Sequence, residues 1–247
     1  MKRSLSIFVL ILAGAAAASA QSLTYYFPQI AVGGGWRTTI FMSNATAAGG
    51  AKGRISFATS AAAPFNANWV DETGNNVSGG GNVIDFQLGP GESRKYVTVG
   101  DIPLTVGYAM VTANASVLGA AMYSLLDPAG NIVTEAGVPM AIPLGKQAVF
   151  VDTTAGFRTG VAIANPNNNL LHIHLQLVSA GGQVVSEVVR DLPPFQHFAL
   201  FTDELFPGAP SMVGRLQFWC TNPMVAIALR MSPSFQFTTI PPIAIEQ

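Results

Sequence analysis

A ten-residue stretch that occurs twice decides the fold. Residues 35–44 read GWRTTIFMSN, and residues 156–165, which lie 121 positions later, read GFRTGVAIAN. Both copies begin with glycine, an aromatic residue, arginine and threonine, and both end with asparagine. β-Branched and aromatic residues fill the interior of each copy, which is typical of a strand. The recurrence therefore predicts two similar units in one chain.

Further matches follow the same order along the chain. Residues 88–93 (LGPGES) correspond to 192–197 (LPPFQH), and residues 106–111 (VGYAMV) correspond to 213–218 (VGRLQF). These offsets are 104 and 107, shorter than the first. Unequal offsets with an unchanged order indicate that the shared strands are joined by loops of different length.

The matches divide the chain into two units. The largest length difference falls at 59–82, which we interpret as an inserted loop within a first unit at 21–143, followed by a second unit at 144–247. The 25 glycines and 16 prolines cut the chain into short segments. Short strands in units of this size favour two-layer antiparallel packing. The prediction is an all-β chain of two tandem β-sandwich domains, with immunoglobulin-like and jelly-roll connectivity both open.

The first residues have the pattern of an export signal. Lys2 and Arg3 precede an apolar run that ends in the small residues 18–20 (ASA). This pattern predicts a cleaved signal peptide at 1–20. A membrane anchor is the less favoured alternative, because the run has about 16 residues and a spanning helix needs roughly 20. We expect a protein secreted to the periplasm or the exterior, without stable insertion into a membrane.

Composition limits the partners and cofactors. The chain is 49% apolar and 10% charged, which is enough for a buried core, and its formal net charge is -1. Near-neutral charge argues against a nucleic-acid partner. The single cysteine, Cys220, excludes an intramolecular disulfide framework and a cysteine-rich zinc site. We expect no cofactor; an extracellular glycan or protein partner and the oligomeric state stay open.

Three histidines form a candidate metal site. His172 and His174, two apart on a predicted strand, project from one face and can share a metal ion with His197 as the third ligand. The pattern is similar to that of cupins, in which a glutamate usually completes the set. Here Glu187 lies 13 residues after His174, beyond the expected spacing. We interpret the pair as solvated surface histidines and keep a cupin-like metal-dependent enzyme as the alternative.

Aromatic side chains form a candidate ligand site. Phe65 and Trp69 lie in the inserted loop, and Trp219 takes the outward position of a predicted strand. Sugars bind proteins through exposed aromatic rings and a few polar contacts. These three residues are therefore the candidate ligand-binding residues, but for Trp69 and Trp219 the favoured interpretation is placement in the core, at a domain interface or on the surface without a ligand. The sequence contains no G-x-S-x-G nucleophile motif, and we assign no catalytic residues.

Short motifs at the ends of the predicted strands carry a resemblance. They are FPQ at 27–29, GGGW at 33–36, NP at 165–166, LPP at 192–194 and FTTIP at 237–241. With them the chain resembles a tandem β-rich repeat of secreted proteins of soil bacteria. The resemblance implies a β-rich secreted domain and no particular activity.

These observations favour a secreted, non-catalytic interaction or structural module. The alternatives in the same class are a carbohydrate-binding protein and a fibre subunit, in which an edge strand at 25–32 adds to a neighbour's sheet. The alternative from another class is the cupin-like enzyme that uses the three histidines.

Overall fold

The structure is a computed structural model that describes residues 22–77, 81–100 and 102–245. It is 62% strand and 3% helix, with strands that pair in antiparallel sheets, so the predicted all-β class is confirmed. The predicted signal peptide at 1–20 lies outside the described residues. Within the described ranges, no helix has the length and apolar character needed to cross a membrane.

The described residues before position 140 form nine strands. They are β1 (Leu23–Val32), β2 (Trp36–Ser43), β3 (Ala51–Thr59), β4 (Asn68–Val70), β5 (Val83–Leu88), β6 (Ser93–Val99), β7 (Thr105–Ala113), β8 (Leu118–Leu126) and β9 (Ile132–Pro139). Sheet I has the order β1-β7-β3-β5, and sheet II has the order β4-β6-β2-β8-β9. The inserted loop thus contributes β4 to one edge of sheet II.

Besides a single 3₁₀ turn at Thr154–Gly156, the rest of the chain forms eight strands and a short α-helix within its described residues. They are β10 (Leu144–Asp152), β11 (Arg158–Ala164), β12 (Leu171–Ser179), β13 (Val184–Leu192), β14 (His197–Phe201), α1 (Thr202–Leu205), β15 (Val213–Met231), β16 (Phe237–Ile240) and β17 (Ile243–Ala244). The 19-residue β15 belongs to two sheets. Sheet III has the order β13-β12-β15-β10-β17, and sheet IV has the order β14-β11-β15-β16.

The strand orders of the two halves correspond. Sheet I runs β1-β7-β3-β5 where sheet III runs β10-β15-β12-β13, and sheet II runs β6-β2-β8-β9 where sheet IV runs β14-β11-β15-β16. The registers agree as well, because Ser43 faces Leu118 and Ala164 faces Val225. The order is not that of immunoglobulins, in which the first two strands share a sheet; here β1 and β2 lie in different sheets.

The asparagine that ends both copies of the repeated stretch has a structural role. Asn44 and Asn165 are both fully buried. The Asn44 amide donates to the carbonyl of Gly89 at 3.1 Å, and the Asn165 amide donates to the carbonyl of Pro193 at 3.0 Å. Each buried amide therefore finds its acceptor in a half-buried carbonyl of the turn that follows the edge strand, and an unpaired buried amide would cost free energy.

Each half has its own apolar core. In the first half, Phe27 and Ile55 from sheet I pack with Ile40 from sheet II. In the second, Phe218 from sheet III packs in the same cluster as Ile163 from sheet IV. Burial of such side chains contributes roughly 1.5–3 kcal/mol each to stability. The alternation along each strand therefore holds two sheets face to face, as in a sandwich.

The two halves also pack against each other. Tyr26 and Tyr108, on the outer face of sheet I, form a buried cluster with Ala164 and Val225 of the second half. A backbone bridge joins Tyr26 to Ala141. β1 ends the strand order of sheet I, and it is buried from Tyr26 to its end, with this backbone bridge along its edge; assembly of a fibre through this edge stays a prediction.

Candidate binding face

Three of the predicted site residues lie on one surface, the outer face of sheet III. His172 and His174 are exposed on β12, and Trp219 is half-buried on β15. Along β12 the intervening Ile173 and Leu175 are fully buried. The predicted alternation is thus confirmed, with apolar side chains in the core and histidines on the outside.

Trp219 and His174 form a stacked ring pair. The two residues face each other across β15 and β12. Their ring centroids lie 5.2 Å apart and the ring planes differ by 8°. Directly opposed side chains on neighbouring strands stabilise a sheet and hold one another in place. The pair therefore presents an ordered aromatic surface beside the polar groups of the same face.

A chain of hydrogen bonds crosses this face next to the ring pair. The Gln217 amide donates to Gln176 Oε1 at 2.6 Å, and the Gln176 amide donates to Glu187 Oε2 at 3.0 Å. Each residue lies on a different strand of sheet III. The hydrogen bonds orient the amides and the carboxylate before any ligand arrives, which lowers the entropic cost of binding.

His172 has a partner at the end of the same face. Its Nδ1 lies 2.6 Å from Asp191 Oδ1, and both side chains are more than half exposed, at 65% and 62%. An exposed pair of this kind adds little stability. Its effect is to orient the imidazole, which stays accessible to a ligand.

Apolar side chains extend this outer face at both sides. Phe150 is 53% exposed and faces Arg215 across β10 and β15. Val189 is 54% exposed and faces His174. Ile243 on β17 is 64% exposed and faces Ala148. Exposed apolar groups mixed with aromatic and arginine side chains are characteristic of interaction surfaces.

His197 is not part of this face, and its predicted role as a third metal ligand is wrong. It is 3% exposed at the junction of the two halves. Its Nε2 lies 2.9 Å from Gln29 Oε1, and its Nδ1 lies 2.9 Å from Ser60 Oγ. Burial lowers the pKa of His197 to about 3, so the ring is neutral. The described ranges contain no group of three or more His, Cys, Asp or Glu side chains placed to hold a metal ion.

The Ser60–His197–Gln29 cluster joins the halves. The backbone N–H of His197 also donates to the Ser60 carbonyl at 3.1 Å. A hydroxyl beside an imidazole is the beginning of a nucleophile–base pair, but here the ring is enclosed and its third partner is a neutral amide. Sequence reasoning did not find this cluster, because 137 residues separate Ser60 from His197 and 168 separate Gln29 from it.

Trp69 and Phe65 lie in the core, so their candidate role as exposed ligand-binding residues is wrong. Trp69 is 3% exposed and Phe65 is fully buried. The Trp69 ring stacks on Phe57 with 4.6 Å between centroids, and its indole N–H donates to the carbonyl of Gly81 at 3.3 Å. The inserted loop folds back and buries its aromatic side chains, since leaving them in water would cost free energy. Neither ring offers a face to a sugar.

Comparisons of the chain with protein-family models, with curated proteins and with solved structures found no match.

Proposed function

We propose that the protein is an exported, non-catalytic binding module built from two similar sandwiches, at 21–143 and 144–247, and that it recognises a partner with the outer face of sheet III. The corresponding strand orders and registers of the halves support a duplicated unit. Most successive strands alternate between the sheets of a half, which favours jelly-roll over immunoglobulin connectivity. The sequence pattern at 1–20 and the resemblance to secreted repeats support export.

The observation that carries the proposal is the ordered surface around Trp219 and His174. Stacked rings, oriented amides and a carboxylate lie together on a rigid sheet. Binding sites on rigid elements hold their groups in place better than sites on loops. The arrangement supports recognition without chemistry, because the buried His197 is held by Gln29 and Ser60, away from the two exposed histidines.

The partner class that this chemistry favours is carbohydrate. Gln176, Gln217 and Glu187 supply donors and acceptors suited to sugar hydroxyls, and the ring pair supplies apolar contact. Exposed imidazole at His172 and His174 extends the polar surface. This makes the protein a carbohydrate-binding module in which the second half carries the site.

A glycan array tests the proposal with a matched pair of variants. Trp219→Ala removes half of the ring pair, whereas Thr112→Ala changes the corresponding position of sheet I, where Thr112 faces Arg54 as Trp219 faces His174. We expect Trp219→Ala to weaken glycan binding at least about tenfold, as loss of a central aromatic contact does, and Thr112→Ala to leave it unchanged. Silence of the wild-type protein across a broad array contradicts carbohydrate recognition, and equal binding by Trp219→Ala contradicts the site.

A fibre subunit is the second candidate, and strand β13 favours it. β13 ends the strand order of sheet III, and Val184 and Val189 on it are 53% and 54% exposed. An exposed apolar edge strand can pair with the sheet of another copy. Electron microscopy at high protein concentration separates the candidates, since filaments lost in a Val184→Lys variant support assembly and monomers at every concentration exclude it.

A further inference from the structure

The arginine of the repeated stretch lines a cleft in each half. In the second half, an open cleft of ≈ 380 Å³ is bordered by Arg158 and Asp203. In the first half, an open cleft of ≈ 660 Å³ is bordered by Arg37 and Val99. Each cleft lies where the strand of the repeated stretch begins and the neighbouring strand, β6 or β14, ends. The two clefts are therefore corresponding features of the duplicated unit.

In the second half this arginine is paired within the chain. The Nη2 of Arg158 donates to both carboxylate oxygens of Asp203, at 2.9 Å and 2.7 Å. The guanidinium also lies over the ring of Phe201, 3.8 Å from its centroid. A planar guanidinium and a carboxylate match in geometry and charge, which makes such hydrogen bonds strong. The cleft of the second half thus already contains a carboxylate.

In the first half the corresponding arginine lacks an acid. The registers of the repeated stretch place Val97 at the position of Phe201. Two residues later, Val99 takes the position of Asp203. Arg37 forms no ion pair and no side-chain hydrogen bond with any residue that the structure describes. Its unpartnered Nε is closed to solvent, whereas the two terminal nitrogens reach it. The cleft therefore has the cation of the pair without the anion.

Two acids near this cleft have partners of their own. Asp127, which lines the cleft, accepts from the backbone N–H and the side-chain amide of Asn131 at 2.8 Å and 3.0 Å. Glu135 accepts from the Ser124 hydroxyl at 2.6 Å, and Ser124 faces Arg37 across β8 and β2. Neither carboxylate forms an ion pair with Arg37. The guanidinium is therefore available to an anion from outside the chain.

We propose that the cleft of the first half binds a small molecule through its carboxylate, which pairs with Arg37 as Asp203 pairs with Arg158. Trp36 and Leu126 also line the cleft, so a ligand with an apolar body beside its carboxylate is favoured. This site belongs to the first half and the proposed glycan face belongs to the second. The inference therefore goes beyond the proposed function and does not depend on it.

Two probes of similar shape test the role of the charge. Benzoate has the carboxylate, and benzamide replaces it with a neutral amide. An NMR titration follows the backbone amides of Gly35 and Gly100, which both line the cleft. We expect saturable shifts with benzoate and at least about fivefold weaker binding of benzamide, because hydrogen bonds between charged groups are the stronger ones. Absence of saturable benzoate binding overturns the proposal, and equal binding of the two probes overturns the role of the charge.

Two variants test the location. Arg37→Gln removes the cation and should reduce benzoate binding to the level of benzamide. Val99→Asp supplies a carboxylate at the position of Asp203, and it should weaken benzoate binding about fivefold or more while changing benzamide binding by less than about twofold. Val99 is 40% exposed, so we expect the unfolding midpoint to be retained. Undiminished benzoate binding by either variant overturns the location.

A reciprocal variant in the second half tests the correspondence of the two clefts. Asp203→Val removes the carboxylate that pairs with Arg158 and should open a second benzoate site there. The reporter is the backbone amide of Gly156, which lines that cleft. We expect benzoate to shift this signal in Asp203→Val and to leave it unchanged in the wild-type protein. An unchanged Gly156 signal in the variant overturns the inference that the internal carboxylate stands where a ligand binds.

Discussion

The outer faces of sheet I and sheet III have corresponding strands and opposite environments. On sheet I, Tyr26 is 8% exposed and Tyr108 is 5% exposed, because the second half covers them. Burial raises the pKa of Tyr108 to about 12. On sheet III the position that matches Tyr108 is Arg215, which is exposed, and its neighbour Phe150 is 53% exposed.

This comparison distinguishes the features that the shared backbone fold requires from the features that depend on what each outer face contacts. Both sheets keep the same strand order, so that order belongs to the scaffold. One outer face holds the halves together, and no other part of the chain that the structure describes covers the other. Side chains at matched positions should therefore differ in their effect on stability, whereas matched backbone positions should behave alike.

The largest difference is expected at the matched pair Tyr108 and Arg215. Tyr108→Ala leaves a cavity at the junction and should lower the free energy of unfolding by about 3 kcal/mol. Arg215→Ala on the exposed face should change it by less than about 0.5 kcal/mol. Urea denaturation followed by tryptophan fluorescence measures both. Similar values for the two variants would contradict the contrast between the faces.

Glycines that lie close to the backbone of a neighbouring strand should be equally important for stability in sheets I and III. A Cβ at Gly107 would lie 1.9 Å from the carbonyl oxygen of Ala58, and a Cβ at Gly214 would lie 2.1 Å from that of Val178. We expect Gly107→Ala and Gly214→Ala each to destabilise the protein by about 2 kcal/mol or more. Gly137→Ala is the control, because a Cβ there meets nothing within 4 Å. A tolerated alanine at Gly107 or Gly214 would break the equivalence of the two backbones.

His197 should make the junction sensitive to acid. Its pKa is about 3 in the folded protein against an ordinary value of 6.5, so between these values the unfolded chain binds a proton that the native protein does not. Stability therefore falls as the pH falls, by about 2 kcal/mol between pH 6 and 4.5. The Asp152 carboxyl, with a pKa of about 2 against 3.8, contributes only at lower pH.

Stability measured from pH 7 to 4 checks this prediction. His197→Gln should remove the decline above pH 4.5, and His174→Gln, on the exposed face, should retain it. A decline that persists in His197→Gln would assign the acid sensitivity to other groups.

The smallest effect on stability is expected at Phe150. Because its ring is 53% exposed, Phe150→Ala should shift the free energy of unfolding by less than about 0.5 kcal/mol. On the proposed binding face, the same change should weaken glycan binding measurably. A large loss of stability would indicate that this part of sheet III is covered rather than free.

Local patterns in the sequence predicted the scaffold well. The all-β class and the outward position of His172 and His174 follow from period-two alternation along single strands. The matched glycines Gly107 and Gly214 were visible in the aligned segments, since close backbone approach requires them in each sheet. Such features depend on residues that are close in sequence, within the same strand.

Contacts between distant segments were not predictable in this way. Trp69 lies in a loop rich in small and polar residues, yet it packs on Phe57. His197 begins a strand like its counterpart Ser93, yet it is buried because the first half lies against it. Burial of these side chains depends on which surfaces of the folded chain come into contact. The alternation of apolar residues along a single strand does not predict those contacts.

Strand β15 has a consequence for how the second half opens. It runs without interruption from sheet III into sheet IV, pairing with β10 and β12 in its first part and with β11 and β16 in its last. In the first half, β7 and β8 are separate strands. Amide hydrogens in both parts of β15 should therefore exchange with solvent in a single cooperative event, because the continuous strand couples the opening of the two sheets.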